Sequence, residues 1–230
     1  MSIPTHISII MDGNRRWAKK HKLAVLKGHE YAANNVLERI VEHAAKIGVK
    51  YVTFWAFSTE NWQRSKPEVE GLLNILKISL KTKIGSFLKK GVCLKVIGDI
   101  SKFPKDLQGG IAEAIEKTKN CKNITVVLAV NYGGRDEIIR AVNKIVSNIS
   151  KSVTQKKSEV DFAQYLDTVG IPDPELIIRT GGEKRLSGFL LWQSEYSELY
   201  FTDKLWPDFK EKDLDVAVEE FSFRQRRFGK

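Results

Sequence analysis

The chain has 230 residues, 42% of them hydrophobic, which suffices for one large domain with a substantial core and excludes extensive disorder. Its net charge of +10 favours anionic partners in general, such as nucleic acid, an acidic membrane face or a phosphorylated small molecule. The two cysteines, Cys93 and Cys121, follow no CxxC or zinc-binding spacing, so we expect neither disulfides nor a zinc site.

Apolar runs with strand and helix periodicity alternate along the chain. Strands are predicted over 6–11, 51–57, 92–97, 124–130, 176–178 and 189–192. Helices are predicted to begin at 17 and to cover 30–46, 69–90, 107–119, 137–149 and 214–226, with a polar surface loop over 150–158. This alternation is typical of an α/β fold with a mostly parallel central sheet, here as a single domain over 1–230.

Export and membrane insertion are not expected. The first residues lack the basic and apolar regions of a signal peptide, and no later run approaches the ~18 apolar residues of a membrane span. We therefore expect a cytoplasmic protein.

Five short polar motifs each follow a strand-like run. They are DGNRR (12–16), STENW (58–62), GD (98–99), NYGGR (131–135) and RTGG (179–182). Because the carboxyl ends of parallel strands line one crevice, these motifs would converge on a single site. Its arginine, glycine and amide groups suit a polyanion such as a diphosphate.

Each feature also has an ordinary structural interpretation. The DGN trio could be a turn, His29 a capping residue, and Trp62 and Trp192 core aromatics, an interpretation we keep for Trp192. The lysines of the 69–90 helix are predicted to form a solvated face. The chain lacks GxxxxGKS/T and GxGxxG, which argues against P-loop and dinucleotide-binding enzymes.

Taken in order, the motifs resemble the cis-prenyltransferase family, whose bacterial members make undecaprenyl diphosphate. The matching segments are MDGNRRWA (11–18), GH (28–29), FSTENWQR (57–64), NYGGR (131–135) and RTGGEKRLSGFLLWQSEYSELYFTDKLWPDF (179–209). The resemblance spans about 6–229. It implies an α/β sheet whose flanking helices enclose a hydrophobic product tunnel, with Leu72, Leu76 and Leu80 on its wall.

The resemblance implies a Mg²⁺-dependent isoprenyl transferase. Such an enzyme condenses isopentenyl diphosphate repeatedly onto an allylic diphosphate, typically farnesyl diphosphate. The compact bacterial-type chain favours undecaprenyl diphosphate, the lipid carrier for cell-wall glycans, as its product. A homodimer is expected, and delivery of the product to the membrane suggests a peripheral position at its inner face.

The resemblance assigns catalytic and metal positions. Asp12 matches the family's essential aspartate, linked to Mg²⁺ and to departure of diphosphate, and Glu198 matches the second metal-associated carboxylate. Asn61 matches the position often assigned as proton acceptor. An amide is a feeble base, so we expect Asn61 to orient a water or diphosphate oxygen that takes the proton.

The other matched positions are expected to bind substrate. Those for the allylic diphosphate are Gly13, Asn14, Arg15, Arg16, Trp17, His29 and Arg64; those near the reacting carbons are Ser58, Thr59, Glu60 and Trp62; those of the isopentenyl diphosphate segment are Arg179, Arg185, Leu186 and Ser187. Family members also carry an ending like Arg227-Phe228-Gly229, which approaches a diphosphate site across the dimer interface.

Three positions depart from the family pattern. Arg15 replaces a glycine usual in bacterial members, and Gly188 replaces an asparagine. Val25 stands where an arginine is usual, which removes one diphosphate contact unless Lys22 or Lys27 replaces it.

The sequence leaves two alternative functions to be weighed. A non-catalytic partner of a cis-prenyltransferase would lack the metal aspartate, whereas Asp12 and Glu198 are both present. Nucleic-acid binding is suggested only by net charge, and it would need exposed basic residues with interleaved aromatics. The arginines concentrate instead in the diphosphate motifs, so no nucleic-acid partner is predicted.

Overall fold

The structure is a computed structural model that describes residues 2–149 and 159–224. Within these ranges six strands form one sheet: β1 (His6–Ile10), β2 (Tyr51–Ser58), β3 (Val92–Ile97), β4 (Ile124–Tyr132), β5 (Leu176–Arg179) and β6 (Glu198–Phe201). Their spatial order is β3-β4-β2-β1-β5-β6, and every neighbouring pair is parallel, which confirms the predicted α/β fold. The predicted 150–158 loop and the Arg227-Phe228-Gly229 ending lie outside the described residues.

Helices flank the sheet. They are α1 (Asn14–Lys20), α2 (Val25–Asn35), α3 (Leu37–Ile47), α4 (Lys66–Lys89), α5 (Lys105–Thr118), α6 (Gly134–Ile149), α7 (Glu159–Ala163) and α8 (Glu211–Phe223). The predicted bounds of α4, α5 and α6 lie within a few residues of these. Helix α1 begins earlier than predicted, directly after the turn at Gly13.

The single helix predicted over 30–46 is wrong, because the chain forms α2 and α3, which meet at Val36. Val36 has a φ of −107°, stretched from the helical value of about −63°, and its side chain is fully buried. Helix α3 ends at Gly48 as predicted, since a φ of 104° is open to glycine without steric cost. The break lets α2 pack on α1 and α4 while α3 packs on α8.

The strand predicted over 189–192 is also wrong, since this segment forms turns. Leu190 adopts a left-handed φ of 46°, which no strand allows. Phe189 is buried and stacks on Trp55 with ring centroids 4.9 Å apart, so packing beneath the sheet explains the apolar run. Trp192, predicted as a core aromatic, is instead 36% exposed.

Strand β4 shows how the sheet is covered on both faces. Val126 and Leu128 join the larger hydrophobic core, with residues of α3, α4, α5 and α8. Val127 and Ala129 point the other way into a smaller core that contains Phe189. Successive side chains of a strand face opposite sides, so a strand buried on both sides is apolar throughout, as predicted.

The order of the strands positions the site. The chain passes from β1 to β2 on one side, while β5 lies on the other side of β1. Such a reversal opens a crevice at the carboxyl ends of the strands. The loops that follow β1, β2 and β5 therefore meet above β1.

Candidate active site

A cavity of about 390 Å³ opens at this crevice and runs between the sheet and helices α2, α3 and α4. The polar residues that line its mouth are Asp12, Asn14, His29, Ser58, Glu60, Asn61, Arg64, Arg179 and Ser187. Apolar residues line the walls further in, among them Ala32, Ala33, Leu37, Leu72, Ile75, Leu76, Leu80, Ile84, Phe87 and Leu128. The cavity thus combines a charged entrance with a hydrocarbon-like interior.

Asp12, at the carboxyl end of β1, is fixed from several directions. Its backbone carbonyl accepts hydrogen bonds from Thr180 Oγ1 at 2.7 Å and from the Trp206 N–H at 3.0 Å. Its carboxylate accepts one from Arg179 Nη2 at 3.0 Å and lies 3.3 Å from Arg16 Nη2. The side chain keeps 30% of its surface exposed, so a positioned carboxylate remains open to the cavity.

Arg179 connects Asp12 to the loop that follows β5. Its side chain is only 7% exposed. Nη1 donates to Ser187 Oγ at 2.8 Å and to the Arg185 carbonyl, while Nη2 donates to Asp12. The buried guanidinium therefore holds three predicted site residues in one arrangement.

Two glycines permit the close packing around Asn14. Gly13 has a φ of 108°, and a Cβ there would lie 2.9 Å from the Leu205 Cα. A Cβ on Gly28 would lie 2.1 Å from the Asn14 carbonyl oxygen, so α2 can cross α1 at this distance only with glycine. This crossing places His29 against the cavity. Gly28 and His29 therefore occur together because the glycine allows the close approach that brings the histidine to the cavity.

Three buried polar atoms at the mouth, Asn14 Oδ1, His29 Nε2 and Arg179 Nε, have no hydrogen-bond partner within 2–149 and 159–224. A buried polar atom left unpaired is costly, and such atoms in a cavity mark places for a ligand. Burial lowers the pKa of His29 to about 4, with further lowering by the charges of Arg64 and Arg15. His29 is therefore neutral near pH 7.

The segment after β2 supplies the opposite wall. The Ser58 N–H donates to Asn61 Oδ1 at 3.1 Å, so the amide is held in place with its oxygen engaged. Arg64 lines the cavity and donates to Glu68 at 3.0 Å. The Thr59 hydroxyl donates to Glu60 at 3.0 Å.

Two of the five motifs support this wall and do not line the cavity. Asn131 accepts from Trp62 Nε1 at 2.8 Å and donates to the Asp99 carbonyl at 2.6 Å. A Cβ on Gly133 would lie 2.5 Å from the Thr59 hydroxyl oxygen, so this glycine makes room for the segment after β2. The NYGGR and GD motifs thus act through their neighbours.

Several predicted site residues lie near the cavity without lining it: Gly13, Arg15, Arg16, Trp17, Thr59, Trp62, Arg185 and Leu186. Trp17 donates to Asp208 at 2.8 Å and stacks on Tyr31, which makes it a support of the α1 and α2 packing. The Arg185 side chain pairs with Glu183 and is 61% exposed. Arg15 is 58% exposed, with Nε 3.7 Å from Glu68 at the rim.

Glu198 lies apart from Asp12 within the chain. It is the first residue of β6, level with Leu176, whereas Asp12 follows the carboxyl end of β1. Arg224 Nη1 donates to the Glu198 carboxylate at 2.9 Å. Among the described residues, no group of three or more His, Cys, Asp or Glu side chains could hold a metal.

Sequence reasoning missed part of the cavity wall. Helix α4 lines it with Ile75, Ser79 and Ile84 in addition to the expected leucines, and the helical spacing of these positions is a signal that was available. Lys83, predicted on a solvated face, also lines the cavity and is only 13% exposed. A charged residue gives no periodicity signal for such a position.

The fold and the cavity together define a class of α/β protein in which an open parallel sheet carries, at the carboxyl ends of its strands, a cavity with a charged mouth and apolar walls. A family model described as "Putative undecaprenyl diphosphate synthase" matches residues 10–229. The chain belongs to this family and is a prenyltransferase, as the motifs predicted.

Individual relatives match along nearly the whole chain. An isoprenyl transferase of Aquifex pyrophilus is 46% identical over 230 residues, which cover 100% of the chain and 97% of the relative. A Micrococcus luteus ditrans,polycis-undecaprenyl-diphosphate synthase, named as (2E,6E)-farnesyl-diphosphate specific, is 46% identical over 229 residues, or 99% of the chain and 92% of the relative. A lavandulyl diphosphate synthase from Lavandula x intermedia, solved in complex with dimethylallyl diphosphate, has a TM-score of 0.95 at 38% identity over 99% of both chains.

Proposed function

We propose that the protein condenses isopentenyl diphosphate repeatedly onto farnesyl diphosphate to give a long-chain cis-polyprenyl diphosphate, most simply undecaprenyl diphosphate. The observation that carries this proposal is the continuity of the cavity, whose mouth holds Asp12 and Arg179 and whose walls are apolar. A growing hydrocarbon chain needs such an interior, and a departing diphosphate needs such a mouth.

The two diphosphates would use different sides of the mouth. Asn14, Arg16, His29 and Arg64 surround the start of α1 and suit the allylic diphosphate. Arg179 ends β5, and Arg185 and Ser187 lie in the loop that follows it; these three suit isopentenyl diphosphate. Positioned donors of this kind stabilise negative charge as the carbon–oxygen bond breaks.

Asn61 would act by orientation, since the Ser58 N–H already engages its oxygen. Its amide nitrogen remains the group able to donate to a diphosphate oxygen or to a water. That oxygen would accept the proton released when the new double bond forms.

Prenyl diphosphate synthases in general use a divalent metal, and we propose Mg²⁺ here. The Asp12 carboxylate fits it, because it is partly exposed at the mouth and Mg²⁺ prefers oxygen ligands shared with phosphate and water. Bound there, Mg²⁺ would supply Lewis-acid neutralisation of the leaving diphosphate. Glu198 is level with Ile7, about 10 Å before the end of β1, and lies two strands away, whereas Asp12 follows that end; Glu198 would therefore share that metal only if supplied by a second copy.

We propose that the protein forms a homodimer, because α6 carries an exposed apolar stripe. Ile139, Val142 and Val146 lie at helical spacing and are 60%, 41% and 61% exposed. Contiguous exposed apolar surface of this kind marks a protein–protein interface.

No helix in the described ranges has the length and hydropathy to cross a membrane. We propose a cytoplasmic enzyme that releases its polyprenyl product to the inner membrane face. Because the polyprenyl product is apolar, the enzyme would have to associate with the membrane to release it.

The test of the proposed function is Asp12→Asn, which keeps the side chain's size and removes its charge. We expect the rate of condensation to fall by about 100-fold or more, the scale at which loss of one electrostatic group lowers kcat. The measurement uses farnesyl diphosphate, labelled isopentenyl diphosphate and Mg²⁺, with products resolved by length.

Asp106→Asn is the matched control, since Asp106 is exposed and pairs with Lys77 outside the cavity. Asp106→Asn should keep full condensation activity, and EDTA should abolish the activity of the wild type. An Asp12→Asn protein with wild-type activity would contradict the assignment. If the wild type were inactive with every allylic starter, the alternative function, a non-catalytic partner of a cis-prenyltransferase, would be supported.

A further inference from the structure

The outer face of α4, the side turned away from the cavity, carries an excess of positive charge. Four lysines are exposed on this helix against one acidic residue, and these positions are Lys66, Lys77, Lys81, Lys89 and Glu70. Lys77 pairs with Asp106 of α5, and Lys66 Nζ lies 4.0 Å from the Glu70 carboxylate. Lys81 and Lys89 form no ion pair within the part of the chain that the structure describes. Two lysines are therefore available to an anionic partner.

Two large apolar side chains are exposed among these lysines. Ile78 is 50% exposed and Leu88 is 42% exposed. Lys81 follows Ile78 by three positions and precedes Leu88 by seven, so the three side chains share one side of the helix. The outer face of α4 thus combines separate apolar side chains with flexible cations.

A groove of about 200 Å³ between α2 and α4 brings this outer face close to the cavity. The helices touch at Gly71, where a Cβ would lie 2.3 Å from the Leu26 Cδ1, and the groove continues past this contact as far as Ile78. Ile75 and Ser79 line both the groove and the cavity. A single layer of side chains therefore separates the apolar interior from the outer surface here.

The chemistry of this face favours a lipid bilayer over a macromolecular partner. The core of a protein–protein interface is poor in lysine, whereas lysines surround both apolar side chains here. Binding of single-stranded nucleic acid uses exposed aromatic rings, and the only aromatic residue of α4, Phe87, is buried. Lysine stems can lie along acyl chains while their ammonium groups reach lipid phosphates, so cations and apolar side chains can bind the same bilayer.

We propose that the outer face of α4 docks on an anionic lipid bilayer, with Ile78 and Leu88 at the level of the headgroups and Lys81 and Lys89 against lipid phosphates. This inference rests on the proposed function, which gives the enzyme an apolar product to release into a membrane. Docking on this face places the bilayer beside the thinnest described part of the cavity wall.

The test is the double variant Ile78→Ser/Lys81→Gln, which removes one apolar side chain and one charge. Both positions are exposed, so the variant should fold. The matched control is Val216→Ser/Lys212→Gln, which makes the same kinds of exchange at exposed positions of α8; Val216 is also 50% exposed. Co-sedimentation measures the binding of each protein to vesicles of phosphatidylglycerol and phosphatidylcholine in equal parts, and to vesicles of phosphatidylcholine alone.

We expect the wild type to bind the anionic vesicles more tightly than the neutral ones, and to lose affinity as salt is added. Ile78→Ser/Lys81→Gln should bind the anionic vesicles about tenfold more weakly or less, because one lysine at such a surface accounts for about fivefold and the apolar contact adds to it. The α8 control should bind like the wild type.

A wild type that does not bind the anionic vesicles would overturn the proposal, as would an equal loss of affinity in the α4 variant and the α8 control. Vesicle binding needs no substrate, so it is decided separately from catalysis. In detergent solution the α4 variant should condense isopentenyl diphosphate at the wild-type rate. A wild type that binds vesicles through α4 but makes no product would refute the proposed function alone.

Discussion

The side chains at the cavity mouth are held by partners from distant parts of the chain. Asp12 receives hydrogen bonds from Thr180, Arg179 and the Trp206 backbone, so its position does not depend on the turn that carries it. A carboxylate fixed in this way needs little reorganisation when a charged ligand binds, which is the condition for strong electrostatic stabilisation.

Two buried histidines make stability depend on pH. Burial lowers the pKa of His6 and of His29 to about 4, whereas the unfolded chain retains the ordinary value near 6.5. The unfolded state therefore binds more protons between these values. Stability should be complete above about pH 6.5 and should fall as the pH drops toward 4.

For His29 this predicts the effect of His29→Gln. The wild type's free energy of unfolding should fall between pH 7 and pH 5, and the variant should lose about 2 kcal/mol less of it. Urea denaturation at both pH values measures this difference. His21→Gln, at an exposed position of α1's end, should behave like the wild type, and identical losses in all three proteins would contradict the assignment.

At the scale of elements, the contact between α1 and α2 sets the shape of the mouth. Gly28→Ala should destabilise the protein by about 1–3 kcal/mol or more, because its Cβ would press on the Asn14 carbonyl, a backbone atom. Thermal or urea unfolding measures the loss. If Gly28→Ala stabilised the protein, α1 and α2 would be free to move apart, and the prediction would be contradicted.

Gly110→Ala supplies the matched helical control. A Cβ at this position of α5 meets no described atom within 4 Å. It should stabilise the protein by about 0.5–1 kcal/mol, since alanine restricts the unfolded chain more than glycine does.

Sequence patterns predicted elements well where periodicity and burial agree. The run 124–130 was identified as a strand covered on both faces, and β4 is one. The run 189–192 is also apolar, yet Leu190 takes a left-handed conformation and the segment packs as turns. The break at Val36 was missed because the apolar spacing continues from α2 into α3.

The site was predicted in part, since its motifs follow consecutive strands. Asp12, His29, Arg64 and Arg179 meet at the mouth, as the parallel sheet required. Lys83 could not be recognised, because its position depends on how α3 and α4 pack. The separation of Glu198 from Asp12 likewise follows from strand register, which local sequence does not encode.

At the scale of the whole molecule, the α6 stripe predicts the effect of Val146→Glu. A buried carboxylate without a partner is costly, so a dimer that covers Val146 should dissociate. Light scattering after size-exclusion chromatography measures the mass. Val216→Glu, a 50% exposed position of α8, should leave the mass unchanged. If Val146→Glu kept the mass of a dimer, the interface would lie elsewhere.

The central place of β1 also affects the order of events during synthesis. This first strand pairs with β2 on one side, but its other edge waits for β5, which leaves the ribosome more than a hundred residues later. Until then β1 is an edge strand with unpaired backbone groups, and Asp12 lacks Arg179 and Trp206. We therefore expect the head-group site to be among the last parts of the nascent chain to form, and the enzyme to be inactive until nearly all of its sequence has been translated.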